Sequence, residues 1–200
     1  MVRKSIIIIG KGPSINRCNK DFVDSFDEVA ICNRPIFEGY EHLISARAHY
    51  DFITNDVCIR NYPESLKNKL GIKETIFTGD DSILRNNFSY KDLNPSTGTL
   101  AFHYFTQLKE YTHIALVGFD LFQLNKKVYY FKREEVIQPL AYLFENDDVY
   151  SKDMKIIKEH GHDSKLTHDY MSDIFEKNKD TKFTLITDYP FESMKNVDVR

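Results

Sequence analysis

"SIIIIGKGPSIN", residues 5–16, is the stretch on which the fold turns. Ile6 to Ile9 form an unbroken β-branched run with no polar alternation, the pattern of a strand covered on both faces. Such strands belong to parallel sheets, which need helices on each side. The run ends abruptly in Gly10-Lys11-Gly12-Pro13-Ser14. Two readings fit this exit. It is an ordinary tight turn, or its glycines let backbone N–H groups approach a ligand while the next helix aims its positive end at an anion. The dinucleotide fingerprint requires a third glycine where this chain has Ile15, and the Gly-Lys-Ser/Thr of a P-loop is missing. The NAD and ATP versions of the motif therefore both fail.

Working outward, strand-like and helix-like segments alternate. Strands are expected at Ser5–Gly10, Glu28–Asn33, Ala48–Thr54, Thr75–Thr78, His113–Gly118 and Lys182–Thr187, with helices at Ile15–Phe26, Thr97–Tyr111 and Asp169–Asn178. This order predicts an α/β fold: a Rossmann-like, mostly parallel sheet with helices on both faces, in one domain over residues 1–200. Residues 122–162 break the rhythm and are rich in Lys, Glu, Asp and Tyr. They read as a solvated insertion or as a small lid over the sheet's carboxyl edge, where such folds bind ligands.

Composition narrows the class. Hydrophobic residues make up 42%, with 15 Phe and 12 Tyr, enough for a packed core and too apolar for disorder. A net charge of −3, from 27 basic and 30 acidic residues, gives no global attraction to nucleic acid. Cys18, Cys32 and Cys58 lack zinc-type spacing and read as reduced thiols of a cytoplasmic protein. No apolar run reaches the length of a signal core or membrane span, although peripheral membrane contact stays compatible with the chain.

Several short groups carry candidate chemistry. Asn33 and Asn55 end successive strands, where an amide suits a base edge or sugar hydroxyl and equally suits a turn. Ser96, Thr97 and Gly98 start the long helix, as caps or as a phosphate site, since both use the same geometry. His160, His162 and His168 match no common zinc spacing, and a single histidine acting as general base is the better functional reading. No Asp-x-Asp occurs anywhere, so a sugar transferase built on this chain needs a donor that leaves without a divalent metal.

Taken together, Gly10-x-Gly12-Pro13-Ser14, Cys32-Asn33-Arg34, Asn55, Ser96-Thr97-Gly98, Gly118-Phe119-Asp120 and Gly161-His162 resemble, in order, the bacterial sialyltransferases of glycosyltransferase family 42. Pro95-Ser96-Thr97-Gly98, Val117-Gly118-Phe119 and a later His-Asp are also similar to the sialyl motifs of the animal family 29 enzymes. The resemblance runs over residues 5 to 187. It implies a GT-A-like variant of the Rossmann-like fold that moves an acid sugar, sialic acid, from a CMP-activated donor to a glycan or glycolipid hydroxyl, with inversion and no metal or other cofactor. It further implies a role in bacterial lipooligosaccharide or capsule synthesis at the inner face of the membrane.

By this analogy Gly10, Gly12, Pro13, Ser14, Asn33, Asn55, Gly118 and Asp120 line the CMP site, and Ser96, Thr97 and Gly98 lie near the phosphate or donor sugar. Tyr129 falls where a tyrosine meets the departing phosphate. His162 falls at the catalytic base, while the family 29 pattern would instead choose His168. Two positions depart from the family pattern. Phe122 replaces a second phosphate-binding tyrosine, and Asn94 and Pro95 stand where a basic residue is expected. Transfer of another CMP-acid sugar such as Kdo, and a nucleotide-binding module without turnover, are the alternatives. A phosphotransferase is disfavoured by the missing P-loop.

Overall fold

The computed structural model describes residues 4–33, 39–54, 64–121 and 162–200. Its centre is one seven-stranded sheet: β1 (Lys4–Ile9), β2 (Glu28–Cys32), β3 (Tyr50–Ile53), β4 (Glu74–Phe77), β5 (Tyr111–Val117), β6 (Lys182–Ile186) and β7 (Val197–Val199). The spatial order is β4-β3-β2-β1-β5-β6-β7, and every neighbouring pair is parallel. The chain therefore adds strands outward from β1 to β4, then crosses back to lay β5 on the other side of β1. The exits of β1 and β5 form the topological switch point.

The isoleucine run serves both faces, as period-two geometry requires. Ile6 and Ile8 enter one core with Phe52, Phe102, Phe105 and Phe183. Ile7 and Ile9 enter the other with Ile15, Val29, Ile31 and Val117. All four are fully buried. This is why the stretch shows no polar alternation.

Seven helical pieces cover these faces among the described residues: a 3₁₀ turn (Pro13–Arg17), α1 (Lys20–Asp24), α2 (Glu41–Ile44), α3 (Glu64–Leu70), α4 (Ile83–Asn86), α5 (Thr97–Leu108) and α6 (Ser164–Lys177). The helix expected over Ile15–Phe26 is two pieces. Asn19 interrupts it in extended conformation and caps α1, its side chain accepting from the Phe22 N–H at 2.8 Å. Asn competes with helix continuation in this way because its amide substitutes for a backbone acceptor. The helix expected through Tyr111 ends at Leu108, where Lys109 turns left-handed (φ 53°), and Tyr111 instead begins β5.

Helix α6 starts earlier than periodicity suggested, because Asp163 caps it by accepting from the Leu166 N–H at 2.8 Å. Strand β7 and the short helices α2, α3 and α4 carry too few residues for a periodic signal. The expected lid at 122–162 lies, save for His162, outside the described residues. No helix among the described residues is long and apolar enough to cross a membrane.

Candidate active site

At the carboxyl edge, the β1 exit packs directly on the β5 exit. The Gly10 N–H donates to the Val117 carbonyl at 2.8 Å, and the Gly12 N–H donates to the Gly118 carbonyl at 3.0 Å. A Cβ on Gly10 would lie 2.6 Å from the Gly118 oxygen, and one on Gly12 would lie 2.2 Å from Asp120 Oδ2. Gly118 itself takes φ +73°, a left-handed conformation natural to glycine. These glycines therefore serve close packing between two loops.

Asp120 fastens the same junction. Its Oδ2 accepts from the Ser14 N–H at 2.9 Å and its Oδ1 from the Asp188 N–H at 2.6 Å. The Ser14 hydroxyl turns inward and donates to the Ile186 carbonyl at 3.0 Å, and Thr187 donates to the Phe119 carbonyl at 2.7 Å. With the N–H groups of residues 10, 12, 14 and 15 engaged by the protein, the loop offers a shaped wall rather than a cradle of free donors. Asp120 and Ser14 stand behind that wall.

Asn33 joins three elements. Its backbone is left-handed (φ 48°), and its N–H donates to the Phe52 carbonyl at 2.7 Å. Its Oδ1 accepts from the N–H and hydroxyl of Thr54, at 3.0 and 3.1 Å, while Nδ2 donates to Thr97 Oγ1 at 3.0 Å. Both lone pairs of Oδ1 are thus engaged, and one amide hydrogen is left for another acceptor. Lys11 Nζ donates to the Asn33 carbonyl at 3.3 Å, which ties the β1 exit loop to the β2 exit. Beneath Asn33, burial pushes the Cys32 thiol up to about 12, and burial pushes Cys18 up to about 11. Neither thiol is a nucleophile near neutral pH.

The start of α5 closes the corner. Ser96 is the N-cap, its Oγ accepting from the Thr99 N–H at 3.2 Å. The Thr97 and Gly98 N–H groups lie in the first turn and have no intrahelical acceptor. Gly98 admits the Phe119 ring, which would sit 3.0 Å from a Cβ there. The geometry is that of a helix end able to receive an anion.

His162 stands at this helix end. Its Nδ1 is 3.2 Å from the Asn94 carbonyl, two residues before the N-cap. A carbonyl only accepts, so Nδ1 carries the hydrogen and Nε2 is the basic nitrogen of the neutral ring. His168 lies inside α6, its ring 5.5 Å from Tyr189 and 5.0 Å from Phe191, with Nδ1 3.4 Å from Asp169 Oδ1. It is set in an aromatic nest, whereas His162 adjoins the helix start. Asn55, Tyr129 and Phe122 lie outside the described residues.

One residue the sequence did not single out also reaches the corner. Arg85, on α4, donates from Nε to the Thr78 carbonyl at 3.1 Å and from Nη1 to Asn94 Oδ1 at 2.6 Å. Nine positions before Asn94, it had no sequence signal of its own.

No protein-family model matches the chain, and no curated sequence is significantly similar to it. Among solved structures, it is similar to a tyrosine-to-phenylalanine variant of the sialyltransferase CST-II in complex with CMP, with TM-score 0.62, 16% identity, and 92% of this chain and 81% of that chain covered. It is also similar to the sialyltransferase CstII from Campylobacter jejuni in complex with cytidine-5'-monophosphate, with TM-score 0.60, 13% identity, and coverage of 92% and 80%. A third is CST-II in complex with a trisaccharide acceptor and CMP, with TM-score 0.54, 15% identity, and coverage of 92% and 81%. The likeness establishes that this chain has the α/β fold of those enzymes.

Proposed function

We propose that the protein is a sialyltransferase that moves sialic acid from a CMP-activated donor to a glycan hydroxyl. The observation that carries this reading is His162, held through Nδ1 on the Asn94 carbonyl beside the first turn of α5, where the Thr97 and Gly98 N–H groups have no intrahelical acceptor. A general base and an anion-receiving helix end stand together on a fold shared with structures solved with CMP.

In this mechanism the donor phosphate meets the Thr97 and Gly98 N–H groups and the positive end of α5. The cytidine lies along the wall made by Gly10, Gly12, Pro13 and Asn33, which Gly118 and Asp120 support, and Asn55 is assigned to the same nucleotide. The acceptor oxygen attacks the anomeric carbon from the face opposite CMP, and its proton passes to His162 Nε2 as the carbon–oxygen bond to phosphate breaks. The configuration inverts. Tyr129 donates to the departing phosphate oxygen. A single phosphate leaves, and the chain's lack of an Asp-x-Asp pair fits a reaction that uses no metal and no other cofactor. The acceptor is a bacterial surface glycan or glycolipid reached from the cytoplasmic side.

Release of CMP from CMP-sialic acid in the presence of glycan acceptors, with and without EDTA, tests the proposal. Release that EDTA does not affect supports it. Release that EDTA abolishes refutes the metal-free mechanism, release from CMP-Kdo alone changes the donor sugar, and CMP binding without release from either donor refutes catalysis.

A further inference from the structure

We infer that Arg85 is a positioning residue for His162, acting through Asn94; this deepens the transferase reading and rests on it for its catalytic meaning. Asn94 touches both partners with different atoms. Its side-chain Oδ1 accepts from Arg85 Nη1 at 2.6 Å, and its backbone carbonyl lies 3.2 Å from His162 Nδ1. The bridge therefore runs guanidinium, carboxamide, main chain, imidazole.

Arg85 is itself fixed. Its Nε donates to the Thr78 carbonyl at the β4 exit, and its backbone N–H donates to the Ser82 hydroxyl that caps α4. The guanidinium side chain is only 16% exposed, while its ionic partner Asp80, at 3.8 Å, is 99% exposed and contributes little. A planar, permanently charged fork bonded to two groups holds direction better than an ammonium would. What it fixes is the segment from Asn94 into Pro95 and Ser96. That segment sets where the Nδ1 acceptor sits relative to the first turn of α5.

The consequence is chemical as well as geometric. With the Asn94 carbonyl in place, the neutral ring keeps its hydrogen on Nδ1 and its lone pair on Nε2. When the segment is released, the Nδ1–H loses its acceptor and the ring populates the opposite tautomer, in which Nε2 cannot accept a proton. The same side chain brings positive charge to the position where the sequence has Asn94 and Pro95 in place of a basic residue, from nine residues upstream.

The test uses the full chain with Arg85→Met, Asn94→Ala and the double variant. Asn94→Ala keeps the carbonyl and cuts the link to Arg85, so it carries the test if Arg85→Met does not fold. Long-range ¹H–¹⁵N correlation spectra, with His162 assigned by loss of its signals in His162→Gln, report the tautomer without substrate. The wild type should show protonated Nδ1, and both single variants should shift toward protonated Nε2. Turnover of CMP-sialic acid should fall by on the order of 10- to 100-fold in kcat with donor KM held within about 3-fold, and the double variant should be no worse than the weaker single one. An unchanged tautomer in folded Arg85→Met and Asn94→Ala overturns the inference. A switch in Arg85→Met alone overturns the route through Asn94. If the tautomer switches as expected and the wild type turns over no donor, the transferase reading falls and the positioning role stands.

Discussion

Replacing Asp120 tests whether the Gly-x-Gly-Pro-Ser loop is a scaffolded wall. The carboxylate is 8% exposed and accepts from two backbone N–H groups, one in the β1 exit loop and one after β6. Hydrogen bonds to a charged group contribute about 1.5–3 kcal/mol each, and stranding a buried donor costs about 1–3 kcal/mol. Ser14 is 1% exposed, so its N–H finds no water when the carboxylate goes. The Asp188 N–H sits on an exposed residue and is partly recovered by solvent. Weighing one full loss and one partial loss, Asp120→Ala should cost about 3–4 kcal/mol and Asp120→Asn, which keeps one acceptor, about 2 kcal/mol. Against a typical stability of about 5–15 kcal/mol, either is readily measured. Urea unfolding at pH 7 should show a lower midpoint with an unchanged slope. An Asp120→Asn protein that unfolds at the wild-type midpoint but no longer binds CMP by calorimetry would refute the reasoning, because the carboxylate would then be meeting the ligand.

The remaining predictions concern the base, the packing glycine and pH. His162→Ala should lower the rate of CMP-sialic acid turnover by ~10²–10⁴-fold while His168→Ala stays within about 10-fold, and the reverse ranking moves the base to His168. Gly12→Ala, whose Cβ would lie 2.2 Å from Asp120 Oδ2 and 2.7 Å from the Gly118 oxygen, should destabilise by about 1–3 kcal/mol in thermal or urea melts. Burial holds His49, His103 and His113 below the usual histidine value, aided at His49 by Lys73 and Arg47 and at His113 by Lys182 and Arg200. His49 Nδ1 accepts from the Val29 N–H at 3.0 Å and must be unprotonated to do so. The unfolded chain protonates these rings first, so the stability they contribute is complete above about pH 6.5 and is lost as pH falls from there through their lower folded values. Urea midpoints should therefore drop between pH 7 and pH 5, and His49→Gln should flatten that slope.

The fold was legible where patterns are local and strong. Ile6 to Ile9 declared a doubly covered strand, and alternate residues do feed opposite cores. Asn19 was harder to read. A polar residue between apolar ones fits a helix surface, and only the backbone shows it restarting a helix. Strand β7 is three residues long and takes its identity from pairing with β6. At the site, Asn33 and the Ser96 to Gly98 start stood out as strand and helix punctuation. That Asn33 Nδ2 reaches Thr97, 64 positions away, is a property of strand order rather than of spacing. Arg85 was invisible for the same reason. It has ordinary neighbours, and its meaning comes from a β4 exit lying beside the start of α5.

Strand order also explains where a ligand has room. In doubly wound sheets the crevice opens at the switch point, here between β1 and β5. In this chain the described loops at that point bond to each other through Gly12, Gly118, Ser14 and Asp120, with no gap for a ligand between them. On the other side of β1, Asn33, Lys11 and the first turn of α5 converge. An anion there meets one helix end, equivalent to about half a positive charge, and the flank of a loop whose own N–H groups are engaged. That endowment suits a leaving group with a single phosphate better than a diphosphate, whose greater charge calls for a divalent ion or a glycine-rich cradle. For the proposed transfer, the packing that engages the loop's N–H groups fits a CMP donor better than a nucleotide-diphosphate one, and Gly10 and Gly12 bring the wall close enough to β5 to hold it still.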